Sequence, residues 1–297
     1  GIYFDTSKLK NYGRLFKFSK KKLKSRLEEQ PEKRNPQDFA LWKFSPKDKK
    51  RQMEWPSPWG IGFPGWHTEC VVMSQKNLGK VFDIHCGGID HIPIHHNNEI
   101  AQAEAAYGKI PARYWLHNEF LMLKKEKMAK SKSKFLLLEN LIQRNFHPLS
   151  YRYFLLLTHY RKKANFDFEG LKSAQNALEK LYQFIERLAQ EPKRKTQKEA
   201  QKKIQNFRKK FFEAISDDLN TPKAIAILWD LISYYHRFSQ KINPKDLQKV
   251  LKEFDEVLGL NLFKERIKIP REVSLLLQQR EKARKEKKWD EADQLRA

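Results

Sequence analysis

WHTECVVMSQKNLGKVFDIHCGGIDHIPIHHNNE, residues Trp66–Glu99, decides how this chain is read. It gathers Cys70, His85, Cys86, Asp90, His91, His95, His96 and Glu99 into about one supersecondary unit. Both cysteines of the protein and five of its nine histidines lie here. The pattern predicts a short helix over Glu69–Leu78, a buried strand over Val81–His85, a Gly87-Gly88 turn and a helix from about Pro93. Proline suits a first helical turn, where its missing N–H would be unpaired anyway. Gly108 is a fitting stop just past the far end. On that second helix His95 and Glu99 stand four residues apart, so their side chains leave one face a turn apart. Cys70, on the other helix, can add a thiolate. Cys, His and Glu form a borderline-soft donor set that suits zinc, and three protein ligands leave one position open. The plainer alternative is a solvated helix face beside one buried free cysteine. Spacing alone leaves both open. Cys86 and His96 are expected to stay outside the ligand set.

Outward from this stretch, charge is the strongest signal. Sixty Lys and Arg face 36 Asp and Glu, a formal +24, with dense runs at Ser19–Arg26, Lys47–Arg51, Lys124–Lys134 and Arg280–Lys288. Such a surface attracts polyanions, of which nucleic acid is the commonest. Abundant lysine used only to solvate the surface is the alternative. Two cysteines, both in the candidate site, argue against a disulfide framework and fit a reducing cytoplasm. No run of ~18 apolar residues suggests a membrane span, so no membrane partner is expected.

Gly1–Asp5 is short and β-prone, and the basic stretch through Arg34 has little apolar periodicity. Pro46–Pro64 reads as an ordered loop leading into the site, and Trp55, Trp59 and Trp66 are expected to pack inward. Ile110–Leu123 holds a second strand, followed by Lys124, Lys125, Lys127, Lys130, Lys132 and Lys134 among small or polar residues. That is a poor core pattern and a good anion-binding loop, because lysine is a point charge on a flexible stem. From Glu139 the period turns helical. Leu171, Ala174, Leu178, Leu181, Ile185 and Leu188 form one stripe, and Ile204, Phe207, Phe211 and Ala214 another. A third helix opens at Asn220-Thr221-Pro222 and turns Ala224, Leu228, Leu231, Tyr235 and Phe238 inward; a fourth covers roughly Pro244–Leu258. Together they predict an antiparallel helical bundle.

Seven segments carry a family resemblance: DFALWK (Asp38–Lys43), SPWG with GFPGWHTEC (Ser57–Cys70), Phe82–Lys109, YWLHNEFL (Tyr114–Leu121), KMAKS (Lys127–Ser131), YRYFLLLTHYR (Tyr151–Arg161) and DDLNTPKA (Asp217–Ala224). In this order they resemble the cysteinyl-tRNA synthetases, class I aminoacyl-tRNA synthetases, over nearly the whole chain. The resemblance implies an α/β plus all-α protein: the second half of a Rossmann-like catalytic domain, then an antiparallel helical bundle. The divisions it implies are a connecting region at 1–55, the half-domain with the zinc site and KMSKS-type loop at 56–165, an anticodon-stem-binding bundle at 166–265 and a basic, incomplete C-terminal segment at 266–297.

The implied activity is ATP-dependent activation of L-cysteine to cysteinyl-adenylate and its transfer to tRNA(Cys), in the cytoplasm, by a monomer. Cys70, His95 and Glu99 would hold Zn2+, joined in the family by an upstream cysteine. Trp66 would wall the cysteine pocket, with His85 a weaker member of it. Asp90 would meet the substrate amino group or the ATP ribose. Lys127 and Lys130 would stabilise charge on the triphosphate of ATP, which binds with Mg2+. Ala129 replaces the serine of KMSKS, and Cys86 stands where the family has a glycine or small polar residue. The 297 residues contain no HIGH-type motif, so the chain is expected to lack the family's N-terminal portion and to form no adenylate alone. Three other readings are a mycothiol-type cysteine ligase, a non-catalytic RNA-binding paralogue and a zinc hydrolase. The long basic bundle favours tRNA over an amino sugar, and a hydrolase leaves KMAKS without a purpose.

Overall fold

The computed structural model describes residues 1–16, 32–48, 50–123, 126–127, 137–263, 276, 279–280, 283–284, 286 and 288–295. They form two compact units, one of residues 1–178 with 209–229, the other of 179–208 with 230–297. No helix among the described residues is long and apolar enough to cross a membrane.

The first unit opens with an antiparallel sheet of β1 (Ile2–Phe4), β2 (Phe39–Phe44) and β3 (Gly62–Pro64). Gly65 N–H bonds to Leu41 O at 2.9 Å, so the sheet launches α1 (Trp66–Leu78) directly. After α1 come β4 (Phe82–Gly88), α2 (His95–Tyr107) and β5 (Ala112–Asn118), with β4 and β5 parallel. Parallel strands need a crossover, and α2 supplies it. The chain leaves α2 through Gly108 at φ 68, where its N–H closes on Glu104 O. That left-handed geometry favours glycine, as anticipated.

The finer expectations here need correction. The strand is not buried: Val81 precedes it, and within it Ile84 is 57% exposed. It pairs with β5 alone among described strands, so little covers its outer face. Gly87 and Gly88 are its last residues rather than a turn, and a 3-10 turn over Ile89–His91 follows. The second strand is two: β5, then β6 (Leu121–Leu123) in a different sheet with β7 (Glu126–Lys127) and β8 (Ala164–Phe166), in the order β7-β6-β8. Trp55, Trp59 and Trp66 are exposed, at 45, 58 and 58%; of the three, Trp66 lies against the site, over His95.

Behind the third sheet pack α3 (Leu138–Gln143) and α4 (Pro148–Leu156), around Leu141, Phe166 and Leu171. Four long helices follow: α5 (Phe168–Gln190), α6 (Lys198–Ser216), α7 (Thr221–Phe238) and α8 (Pro244–Leu258). Asn243 caps α8 through Lys245 N, with Pro244 at its first position. Their stripes are buried as the period requires, from Leu171 at 0% through Leu188 at 1% to Phe254 at 0%. Phe207 and Phe238 depart: Phe207 is half-buried, and Phe238, at 37% exposed, closes α7; both lie against the Tyr234 ring. In the second unit Tyr182 OH donates to Leu260 O at 2.8 Å, fastening α5 to the end of α8. A short helix, α9 (Trp289–Gln294), is the last described element.

Candidate metal centre

α1 presents His67 and Cys70 on one face, three residues apart. Opposite, the first turns of α2 bury His95, His96 and Glu99 to between 1 and 4% exposure. The two helices meet through Thr68 and Gln102, whose side chains bond at 3.3 Å. Cys70 Sγ, a ring nitrogen of His95 and a carboxylate oxygen of Glu99 lie within 4.8 Å of one another. The spacing expectation therefore holds as geometry.

Glu99 is the hub. Its Oε2 lies 2.8 Å from His85 Nε2 and its Oε1 2.6 Å from His95 Nε2. Burial would push this carboxyl up, but the contacts from His85 and His95 outweigh it and hold the group at about 2. Even so, Oε1 is buried and completes no well-formed hydrogen bond. A buried carboxylate converging with a thiol and an imidazole is a donor set that fits a cation. Burial, then the negative charge of Glu99, pushes the Cys70 thiol up to about 11, so with no cation present the sulfur keeps its proton.

His67 is the residue that sequence reading missed. Its Nδ1 sits 2.9 Å from His95 Nδ1, which leaves His95 Nε2 facing Glu99. A ligating imidazole is ordinarily fixed through its other nitrogen in this manner. The expected helix began at Glu69, whereas it begins at Trp66, and only that earlier start puts His67 on the face of Cys70. Burial followed by the nearby His95 lowers His67 to about 4.

His96 was expected not to complete the Cys70, His95 and Glu99 set, and it is not in that group. It converges with His85 and Glu99 in a second group of potential ligands, also within 4.8 Å, so Glu99 is common to both. Its Nδ1 lies 2.7 Å from His117 Nε2 on β5, and burial holds it neutral, down to about 3. His117 had no local signal, because β-pairing alone brings it here. Gly87 is required by this crowding: a Cβ there would sit 2.6 Å from His96 Cε1 and 2.8 Å from His91 Nδ1. Cys86 is exposed and belongs to neither group.

Trp66 lies over the site with its ring centroid 4.2 Å from that of His95. His85 meets the site through Glu99, and Asp90 is exposed on the 3-10 turn after β4. Lys127 belongs to β7 by its backbone, paired with Met122. Lys130 and the rest of the basic stretch lie outside the described residues.

A parallel βαβ unit of this kind is a building block of doubly wound α/β folds. Residues 1–176 match the family model "tRNA synthetases class I (C) catalytic domain", residues 210–263 the DALR domain, and 268–297 the cysteinyl-tRNA ligase anticodon binding domain. The chain belongs to the class I (C) tRNA synthetase family. Among curated relatives it is 44% identical to cysteine–tRNA ligase 1 of Burkholderia lata, over all of this chain and 61% of that protein. It is 42% identical to the Thermococcus gammatolerans cysteine–tRNA ligase, over all of this chain and 66% of that one. The Finegoldia magna cysteine–tRNA ligase is 40% identical, with 99 and 65% covered. The chain thus spans a little under two thirds of these relatives' length. Among solved structures, the ternary LeuRS–tRNA–LeuAMS complex of Agrobacterium radiobacter aligns with 70% of this chain and 32% of that one. Its TM-score is 0.52 at 15% identity, a likeness of fold.

Proposed function

We propose that this chain belongs to a cysteine–tRNA ligase, which activates cysteine with ATP and Mg2+ as cysteinyl-adenylate and passes it to tRNA(Cys) in the cytoplasm. The observation that carries the reading is the convergence of Cys70, His95 and a buried Glu99 within 4.8 Å of one another. These three would hold Zn2+. When bound, zinc favours a sulfur donor over a hydroxyl, which separates cysteine from nearly isosteric serine where an apolar pocket could not. The protein's part is to fix the ligands: His67 orients His95, and His85 orients Glu99. Trp66 closes one side against water, Asp90 takes the amino group or the ribose, and Lys127 and Lys130 meet the triphosphate. Residues 1–55 serve as the connecting region, 56–165 as this half of the catalytic domain, 166–265 as the RNA-stem reader and 266–297 as its basic extension.

Cysteine-dependent exchange of pyrophosphate into ATP, measured on the complete product of the gene, tests the proposal. Activity with cysteine at least a thousandfold above that with serine is expected, on the order of what directed polar recognition supplies. The 297 residues alone, having no HIGH-type motif, are expected to give no measurable exchange. Equal use of serine, or an ordinary rate from the 297 residues alone, would count against this account of the site.

A further inference from the structure

We propose that Asp218 is a positioning residue, gripping the segment that leads into β8 and so setting the backbone of β6 and of Lys127 on β7. The kinetic part of this inference rests on the synthetase reading; the structural part does not.

Between α6 and α7 the chain turns through Asp218 at φ 52 and Leu219 at φ 55. Two successive residues with a Cβ in the left-handed region are costly, and such turns persist where the surroundings over-determine them. Here they do. Asp218 Oδ1 accepts from Tyr160 OH at 2.6 Å and from Arg161 Nη2 at 3.2 Å, while Oδ2 accepts from Arg161 Nε at 2.5 Å. His159 Nε2 stands 4.0 Å from the same Oδ2. Three residues on, Thr221 Oγ1 donates to Leu156 O, at the end of α4, at 2.8 Å. The turn therefore holds the connection from α4 to β8 at its start and in its middle.

That connection is bonded in turn to the strand before the basic loop. Glu119 N donates to Tyr160 O at 2.8 Å and Ala164 N to Phe120 O at 3.1 Å, one on each side of Arg161. β8 then runs parallel to β6, Leu121 opposite Ala164, and β6 pairs with β7, Met122 opposite Lys127. A fork from guanidinium to carboxylate is directional, so it fixes an orientation as well as a distance. The residue type supports the assignment. Asparagine suits a left-handed turn at least as well as aspartate, but only aspartate offers Arg161 two charged oxygens.

Asp218→Asn keeps the size and the backbone preference and removes that fork. Hydrogen exchange with mass spectrometry on the intact protein is expected to show amides of 121–123 and 126–127 exchanging at least tenfold faster, with α1 and α2 unchanged. In the complete enzyme, kcat for cysteine-dependent pyrophosphate exchange should fall about tenfold with KM for cysteine within twofold. Arg161→Lys should do the same and add little to Asp218→Asn; it also serves if the first variant folds poorly. Unchanged exchange at 121–127, or faster exchange throughout the first unit, would overturn the proposal. A complete wild-type product of the gene inactive in pyrophosphate exchange would instead sink the synthetase reading, and the hydrogen-exchange result would still decide the role of Asp218.

Discussion

Asp38 stands at the start of the chain of contacts that aims the candidate metal site. At 3% exposure, its carboxylate accepts from Thr6 N and Thr6 Oγ1 at 2.9 Å each and from Asn35 N at 2.9 Å. This pins the entry to β2, whose Leu41 carbonyl receives Gly65 and so sets the first turn of α1, with Trp66, His67 and Cys70. Burial would push Asp38 up, but the donors from Thr6 and Asn35 outweigh it and lower it below the usual carboxylate value. A depressed folded value means stabilisation that is complete above the ordinary value of about 4 and is lost as pH falls through the folded one. Asp38→Asn is therefore expected to cost about 2 kcal/mol near neutral pH, the scale of hydrogen bonds to a charged acceptor. The gap should narrow as pH falls below the ordinary carboxylate value of about 4. Thermal denaturation of both proteins on either side of that value measures it, and a gap independent of pH would show that the charge contributes nothing.

Among the elements, what the sequence revealed was whatever has a local cause. α8 begins and ends where Asn243-Pro244 and Gly259 dictate, and the stripe from Leu171 to Leu188 is buried as a period of 3.6 demands. Cys70, His95 and Glu99 were legible because two of them share a helical turn. What stayed hidden depends on pairing between distant segments. The exposure of β4 follows from its having β5 as its one partner among described strands, which no alternation inside Phe82–Gly88 announces. His117 reaches His96 only because β5 lies parallel to β4 with Gly87 opposite His117. The division into two units is likewise invisible in composition, since its boundaries at 178, 208 and 229 fall inside helices.

At the scale of the whole molecule, a formal +24 on a chain with DALR and anticodon-binding matches fits the proposed RNA partner, which would be held largely through phosphates. Log affinity for tRNA should then fall linearly with log salt, with a slope set by the number of neutralised phosphates. Filter binding across a salt series checks this; an affinity indifferent to salt would point to a different partner. The central claim, that Cys70, His95 and Glu99 form a zinc site, has its most direct test in the metal content of the purified protein. Mass spectrometry of metals should find close to one zinc per chain in the wild type and a loss of most of it in both Cys70→Ser and His95→Ala. Unchanged zinc in both variants, or none in the wild type purified with zinc present, would contradict the account.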